Sequence, residues 1–227
     1  MNLAAFLTIR RIVMFGKNDR IVFVGDSITD SGRNYDALPA GWSSWGEGYV
    51  HLINAFTTGV HPEKELMIVN QGISGNRITD LKQRWEKDVM GLSPDWVNIM
   101  IGVNDVWRHF DSTFSQEKQV DMDMFEKIYE ELIVTTQSKV KGIILIGAFM
   151  VEANRQDAMR EKLEQYNNVT KKLAEKYNLL YVDIQTVMDH FTRYQSSYVL
   201  SSDRVHPSTA GHLLIAREWI KSVGLEW

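Results

Sequence analysis

The sequence predicts an α/β domain built on a parallel sheet with helices on both faces. Three observations point there. From Arg20 onward, short β-branched runs alternate with longer amphipathic segments, the pattern of strands joined by helical crossovers. Each run is apolar through its middle, as strands covered on both faces are. A chain of 227 residues that is 44% hydrophobic and 24% charged has the size and composition of one globular domain, not of a disordered or collagen-like chain.

Taken in order, the first strand spans Ile21 to Val24, and the amphipathic segment Gly48 to Phe56 is the first helix. Met67 to Asn70 is the second strand, followed by a helix from Ile78 to Met90. Ser93-Pro94 turns the chain into the third strand, Trp96 to Ile101, and Asp121 to Lys139 is the next helix. Lys141-Gly142 punctuates the entry to a fourth strand, Gly142 to Ala148. A helix from Ala158 to Tyr177, a fifth strand from Leu179 to Asp183 and a closing helix from Thr209 to Val223 complete the pattern. Without repeats or a linker rich in Pro, Gly or Ser, residues 14–227 read as one domain. Residues 1–13 read as an N-terminal arm.

Composition removes several function classes. The chain has 25 basic and 29 acidic residues, a formal charge of −4, and no block of Lys or Arg, so no stripe exists for a phosphate backbone and nucleic acid is not expected. With no cysteine, it has no disulfide framework, thiolate metal site or cysteine nucleophile, and a reducing, cytoplasmic location is expected. The apolar opening from Met1 to Leu7 precedes Arg10 and Arg11, the reverse of a signal peptide, and no run approaches the roughly 20 apolar residues of a spanning helix. Neither a signal peptide nor a membrane partner is expected.

In an open parallel sheet, ligands bind beyond the carboxyl ends of the strands. Gly25-Asp26-Ser27-Ile28-Thr29-Asp30 follows the first strand and displays Ser27 at the rim. Alone, this is also ordinary turn and N-cap chemistry. Asn70-Gln71-Gly72-Ile73-Ser74-Gly75-Asn76 follows the second strand, and Gly102-Val103-Asn104-Asp105 the third. The Gly75 N–H and the Asn104 side-chain amide are donors that suit a developing oxyanion. Near the C-terminus, Asp203-Arg204-Val205-His206-Pro207 places a carboxylate three residues ahead of an imidazole. Asp203 can orient His206, and His206 can accept the Ser27 proton. Asp26 and Asp105 lack that relation to a histidine and are assigned to turn and loop hydrogen bonds.

The other histidines, His51, His61, His109, His190 and His212, form no His-Glu-x-x-His pair, so no metal is expected. There is no Gly-x-Ser-x-Gly elbow, no P-loop and no Gly-x-Gly-x-x-Gly turn, so no organic cofactor is expected.

These four blocks, Gly25-Asp26-Ser27, Gly75, Gly102-x-Asn104-Asp105 and Asp203-x-x-His206, resemble in order those of the SGNH, or GDSL, hydrolases. With their flanking residues, such as Ile73-Ser74-Gly75-Asn76 and Val106-Trp107-Arg108, they are most similar to bacterial intracellular acetylxylan esterases. The resemblance runs from about Asn18 to the end. It implies a three-layer α/β/α sandwich with a flavodoxin-like five-stranded parallel sheet. It also implies Ser27 as nucleophile, His206 as general base and acid, Asp203 as its orienter, and an oxyanion hole of the Ser27 and Gly75 N–H groups with the Asn104 amide. A homo-oligomer is a further expectation of the resemblance. One departure is Ser202, where the most similar esterases carry a bulky aromatic.

The expected activity is hydrolysis of short acyl esters, above all acetyl groups on xylo-oligosaccharides or related sugars, through an acyl-enzyme. The aromatic stretch containing Trp42 and Trp45, and Trp107 with Arg108, are the candidate substrate contacts, since flat rings suit sugar faces. The rival readings are a lysophospholipase or thioesterase, and a carbohydrate-binding protein that uses the fold without catalysis.

Overall fold

The computed structural model describes residues 14–111 and 119–226; the proposed arm, 1–13, lies outside the described residues. Five parallel strands form one sheet in the order β2-β1-β3-β4-β5, where β1 is Arg20–Gly25, β2 Met67–Gly72, β3 Trp96–Met100, β4 Gly142–Ile146 and β5 Leu180–Val182. This is the flavodoxin-like order. All five expected strands are present, each within two residues of its expected limits at the core. Every residue of β3 is buried, as a central strand covered on both faces requires.

After β1 come a short turn of helix α1 (Ser27–Asp30) and helix α2 (Tyr49–Val60). Helices α3 (Ile78–Asp88), α4 (Val103–Trp107), α5 (Met122–Gln137) and α6 (Ala158–Lys176) follow the next three strands, and α7 (Ile184–Thr192) and α8 (Thr209–Ser222) follow β5. Helices α2, α7 and α8 pack with one another on one face, while α3, α5 and α6 pack on the other. Right-handed crossovers place helices on both sides in this way. Among the described residues no helix is long and apolar enough to cross a membrane.

One buried indole fastens a helix to the sheet, and another joins two helices within a layer. Trp219 of α8 is fully buried against Phe15 and Phe23, and its N–H donates to Asn98 Oδ1 in the middle of β3 at 2.7 Å. On the opposite face, Trp85 of α3 donates to Thr136 Oγ1 of α5 at 2.9 Å. Both rings thereby bury a large apolar area without orphaning their polar atom.

Helix α7 was not among the expected elements. Asp183, which the strand pattern claims as the end of β5, instead caps α7 by accepting the Thr186 N–H at 3.0 Å. Ile184 and Met188 then face inward, a spacing of one helical turn.

Candidate active site

The sheet order places β1 between β2 and β3, and Gly25 lies level with both Gly72 and Met100. The three donor-rich turns therefore rise side by side from one rim. Asp26 caps α1, its Oδ1 accepting the Ile28 N–H at 3.0 Å. Ser27 is thus the first residue of a helical turn, and its own N–H is among those that a helix start leaves free. The tight exit from β1 explains Gly25, where a Cβ would run into the Met100 carbonyl and the Thr29 side chain.

His206 reaches this serine from the far end of the chain. Its Nε2 lies 2.8 Å from Ser27 Oγ, and its Nδ1 lies 2.6 Å from Asp203 Oδ2. The other oxygen of Asp203 accepts the Val205 N–H at 2.9 Å, the His206 N–H at 2.8 Å and the Ser201 hydroxyl at 3.0 Å. Partial burial works against ionisation of Asp203, but the bonds from His206, Val205 and Ser201 outweigh it and hold the carboxyl well below its ordinary range. An ionised Asp203 fixes the His206 tautomer with Nδ1 protonated and Nε2 free to accept the Ser27 proton.

The loop carrying this pair is tied to the loop after β4. The Val151 N–H donates to the Arg204 carbonyl at 2.8 Å, and the Arg204 guanidinium bridges Glu152 at 2.9 Å and Asp157 at 3.0 Å. Arg204 has a φ of +71°, so the sharp bend between Asp203 and His206 is held by these contacts at a strained position.

Gly75 and Asn104 occupy the two flanking turns. Gly75 is exposed with a φ of +80°, and its N–H has no acceptor among the described residues. Asn104 is buried, and its Nδ2 donates one N–H to the Asn76 carbonyl at 3.1 Å. An amide nitrogen carries two hydrogens, so the second remains for a ligand. Asp30, from the nucleophile block, steadies the Gly75 turn by accepting the Ser74 N–H at 3.0 Å.

Asp26 and Asp105 do what turn chemistry predicts, one capping α1 and the other accepting the Ile78 N–H at 3.0 Å where α3 begins. Burial pushes both carboxyls up to about 7, against the pull of these backbone bonds. His212 is structural too. It accepts the Tyr49 N–H at 3.2 Å between α8 and α2, and burial lowers it to about 4.

The four candidate substrate contacts divide. The Trp107 ring stands 5.9 Å from that of His206, beside the triad, and Arg108 next to it pairs with Asp111. Trp42 and Trp45 instead line a cavity of about 500 Å³ with His51, Asn54 and Met67 along the outer edge of β2. The Trp45 N–H donates to the Ile68 carbonyl at 2.8 Å, near the strand's start and roughly 13 Å below the rim at 3.3 Å per residue. Asn76 and Arg84, which bond each other beneath the Gly75 turn at 2.7 Å, are not among the residues expected at the site. An arginine beside the buried stripe of α3 was the only available signal.

The chain is similar to several known proteins. Residues 23–214 match the GDSL-like lipase/acylhydrolase family. An acetylxylan esterase of Geobacillus stearothermophilus is 44% identical over 212 residues, covering 93% of this chain and 97% of that protein. The crystal structure of the acetylxylan esterase Axe2 from the same organism superposes with a TM-score of 0.91 at 43% identity, covering 94% and 98% of the two chains. An α/β-hydrolase enzyme from the metagenome of Lake Arreo, Spain, gives 0.89 at 40% identity, covering 93% and 98%. Solved catalytic mutants of Axe2 replace a serine, an aspartate and a histidine with the same separations as Ser27, Asp203 and His206. A further Axe2 mutant replaces a tryptophan directly ahead of that aspartate; Asp203 here follows the exposed Ser202. This chain belongs to the GDSL-like lipase/acylhydrolase family and is a carboxylic ester hydrolase.

Proposed function

We propose that the enzyme removes acetyl and other short acyl groups from sugar hydroxyls, with xylo-oligosaccharides as the substrate class, through an acyl-enzyme on Ser27. The observation that carries this reading is the continuous line of hydrogen bonds from Ser27 Oγ to His206 Nε2 at 2.8 Å and from His206 Nδ1 to Asp203 at 2.6 Å. The substrate class is supported by likeness to acetylxylan esterases that extends over nearly the whole chain.

Ser27 Oγ attacks the ester carbonyl while its proton passes to His206 Nε2. The carbonyl oxygen becomes an oxyanion, held by the Ser27 and Gly75 N–H groups and the free N–H of Asn104. The carbon–oxygen bond to the sugar breaks, and His206 returns the proton to the departing sugar oxygen. Water then attacks the acyl group, gives a proton to His206 and releases acetate, with the proton restored to Ser27. Asp203 stays ionised throughout and stabilises the imidazolium that forms twice.

The test compares para-nitrophenyl acetate, butyrate and octanoate, then acetylated xylo-oligosaccharides, with wild type and Ser27→Ala. Acetate preference, release of acetate from the sugars, and a loss of roughly 10⁶-fold in kcat in the variant are expected. Octanoate preference would redirect the search to lipids. Equal activity in the two proteins would remove Ser27 from the reaction.

A further inference from the structure

The turn that carries Gly75 is held from beneath by one cation. Arg84 projects from α3 with its side chain 12% exposed. Its Nε donates to Asn76 Oδ1 at 2.7 Å, its Nη2 to the Gly25 carbonyl at 3.1 Å, and its Nη1 faces Asp88 at 3.4 Å. Gly25 is the last residue of β1, two before the nucleophile, and its carbonyl also accepts the Ile73 N–H at 3.1 Å. Asn76 in turn offers its carbonyl to the Asn104 amide at 3.1 Å. One guanidinium thus spans the end of the nucleophile strand and the residue that orients Asn104.

We propose that Arg84 is a positioning residue for the oxyanion hole, acting through Asn76 on Asn104. This rests on the reading of Asn104 as an oxyanion donor given above. The planar fork of an arginine delivers two donors in fixed relative directions, which a lysine ammonium does not. With Nη2 anchored on β1, the position of Asn76 is set relative to Ser27, and the Asn76 carbonyl then fixes one N–H of Asn104. The other N–H points where that constraint sends it. An oxyanion donor stabilises the transition state only when it is already aimed, so loosening Asn76 should cost turnover more than substrate binding. Asp105 supports the same arrangement by accepting the Ile78 N–H at 3.0 Å, which pins the start of α3 next to Asn104.

The test is a double-mutant cycle on the full chain with para-nitrophenyl acetate, reading kcat and KM separately and melting temperature beside them. Arg84→Met should lower kcat by about 10- to 100-fold with KM little changed, less than the loss from deleting a donor outright. Arg84→Lys should recover little of it. In an Asn104→Ala background, where no amide remains to be aimed, Arg84→Met should cost less than about 3-fold, because residues acting through one group are not additive. Asn76→Ala, which keeps the fold's backbone bonds, should show the same dependence on background and serves if Arg84→Met does not fold. Equal losses from the Arg84 and Asn76 variants in both backgrounds would overturn the proposal and leave Asn104 as a donor. If Asn104→Ala alone leaves kcat unchanged, the reading of the hole falls and the relay with it.

Discussion

The two ends of the sheet bury acids in opposite ways. At the amino end, Asp19 is 1% exposed and surrounded by donors: Trp96 Nε1 at 2.9 Å, the Gly16 N–H at 2.8 Å and Lys141 Nζ at 2.5 Å. Asp95 beside it accepts the Arg20 N–H and pairs with Lys141, and its carboxyl is held below its ordinary range, chiefly by that backbone bond. At the carboxyl end, Asp26 and Asp105 are equally buried and receive backbone donors, and burial outweighs these and the weaker pull of His206 and Arg77. Charge is neutralised at the end that closes the fold. It is left under tension at the end where Ser27 stands, a pattern associated with functional sites.

On this division, variants at the carboxyl end should lose turnover and those at the amino end should lose stability. Asp203→Asn is expected to show the largest effect, because it presents an amide that favours the wrong His206 tautomer; kcat should fall by about 10⁴-fold with the melting temperature little changed. An unchanged kcat would detach Asp203 from the reaction. Asn104→Ala removes one oxyanion donor and should cost about 10²–10³-fold in kcat, with KM much less affected. A rise in KM at constant kcat would make Asn104 a binding group instead.

The tension on the buried acids is measurable as pH dependence. Asp105 has a native value of about 7 against an ordinary 3.8. Between those limits the unfolded chain releases a proton that the native protein keeps, so stability falls as pH rises from about 4 through 7. Below 3.8 both states are protonated and the contribution is fully present. Asp105→Asn keeps an oxygen for the Ile78 N–H and cannot ionise. It should match wild type near pH 4 and gain about 3 kcal/mol over it by pH 8, after discounting the mutual influence of Asp26 and Asp105. His212, lowered by burial to about 4, acts in the opposite sense by destabilising the fold as pH falls below 6.5, and it cancels in this comparison. Parallel stability curves for the two proteins would refute the raised Asp105.

Much of this end of the molecule was legible because its chemistry is written in contiguous blocks. Ser27, Gly75 and Asn104 each follow a strand that an apolar run marks, and Asp203 and His206 share one loop, so strand ends alone bring them together. Arg84 left no such mark. Its bond to the Gly25 carbonyl joins residues 59 apart in sequence, and a cation beside the apolar stripe of a helix is ordinarily solvated. The tryptophan-rich stretch was legible in composition but not in placement. Its loop stays beside the nucleophile block, where Asn70 bonds the Thr29 and Trp45 carbonyls, while the Ile68 carbonyl that takes the Trp45 N–H sets that indole along the edge of β2. Helix α7 was lost because Asp183 fits equally the end of a strand and the cap of a helix, and only the docked Ile184 and Met188 decide.

The amino end supplies the smallest test and the control for the rest. Trp96→Phe keeps a ring in edge contact with Phe15, now 5.2 Å from the indole, and removes only the N–H that Trp96 gives Asp19. The carboxylate keeps the Gly16 N–H and Lys141, so it becomes one donor short without losing its cation. That deficit should cost about 1–3 kcal/mol in denaturant unfolding. Turnover should not change, because β3 carries Trp96 at its first residue and reaches the Asn104 turn only at its last. A variant that kept its stability but lost kcat would show the strand transmitting strain from one end to the other, and the separation of the two ends would fail.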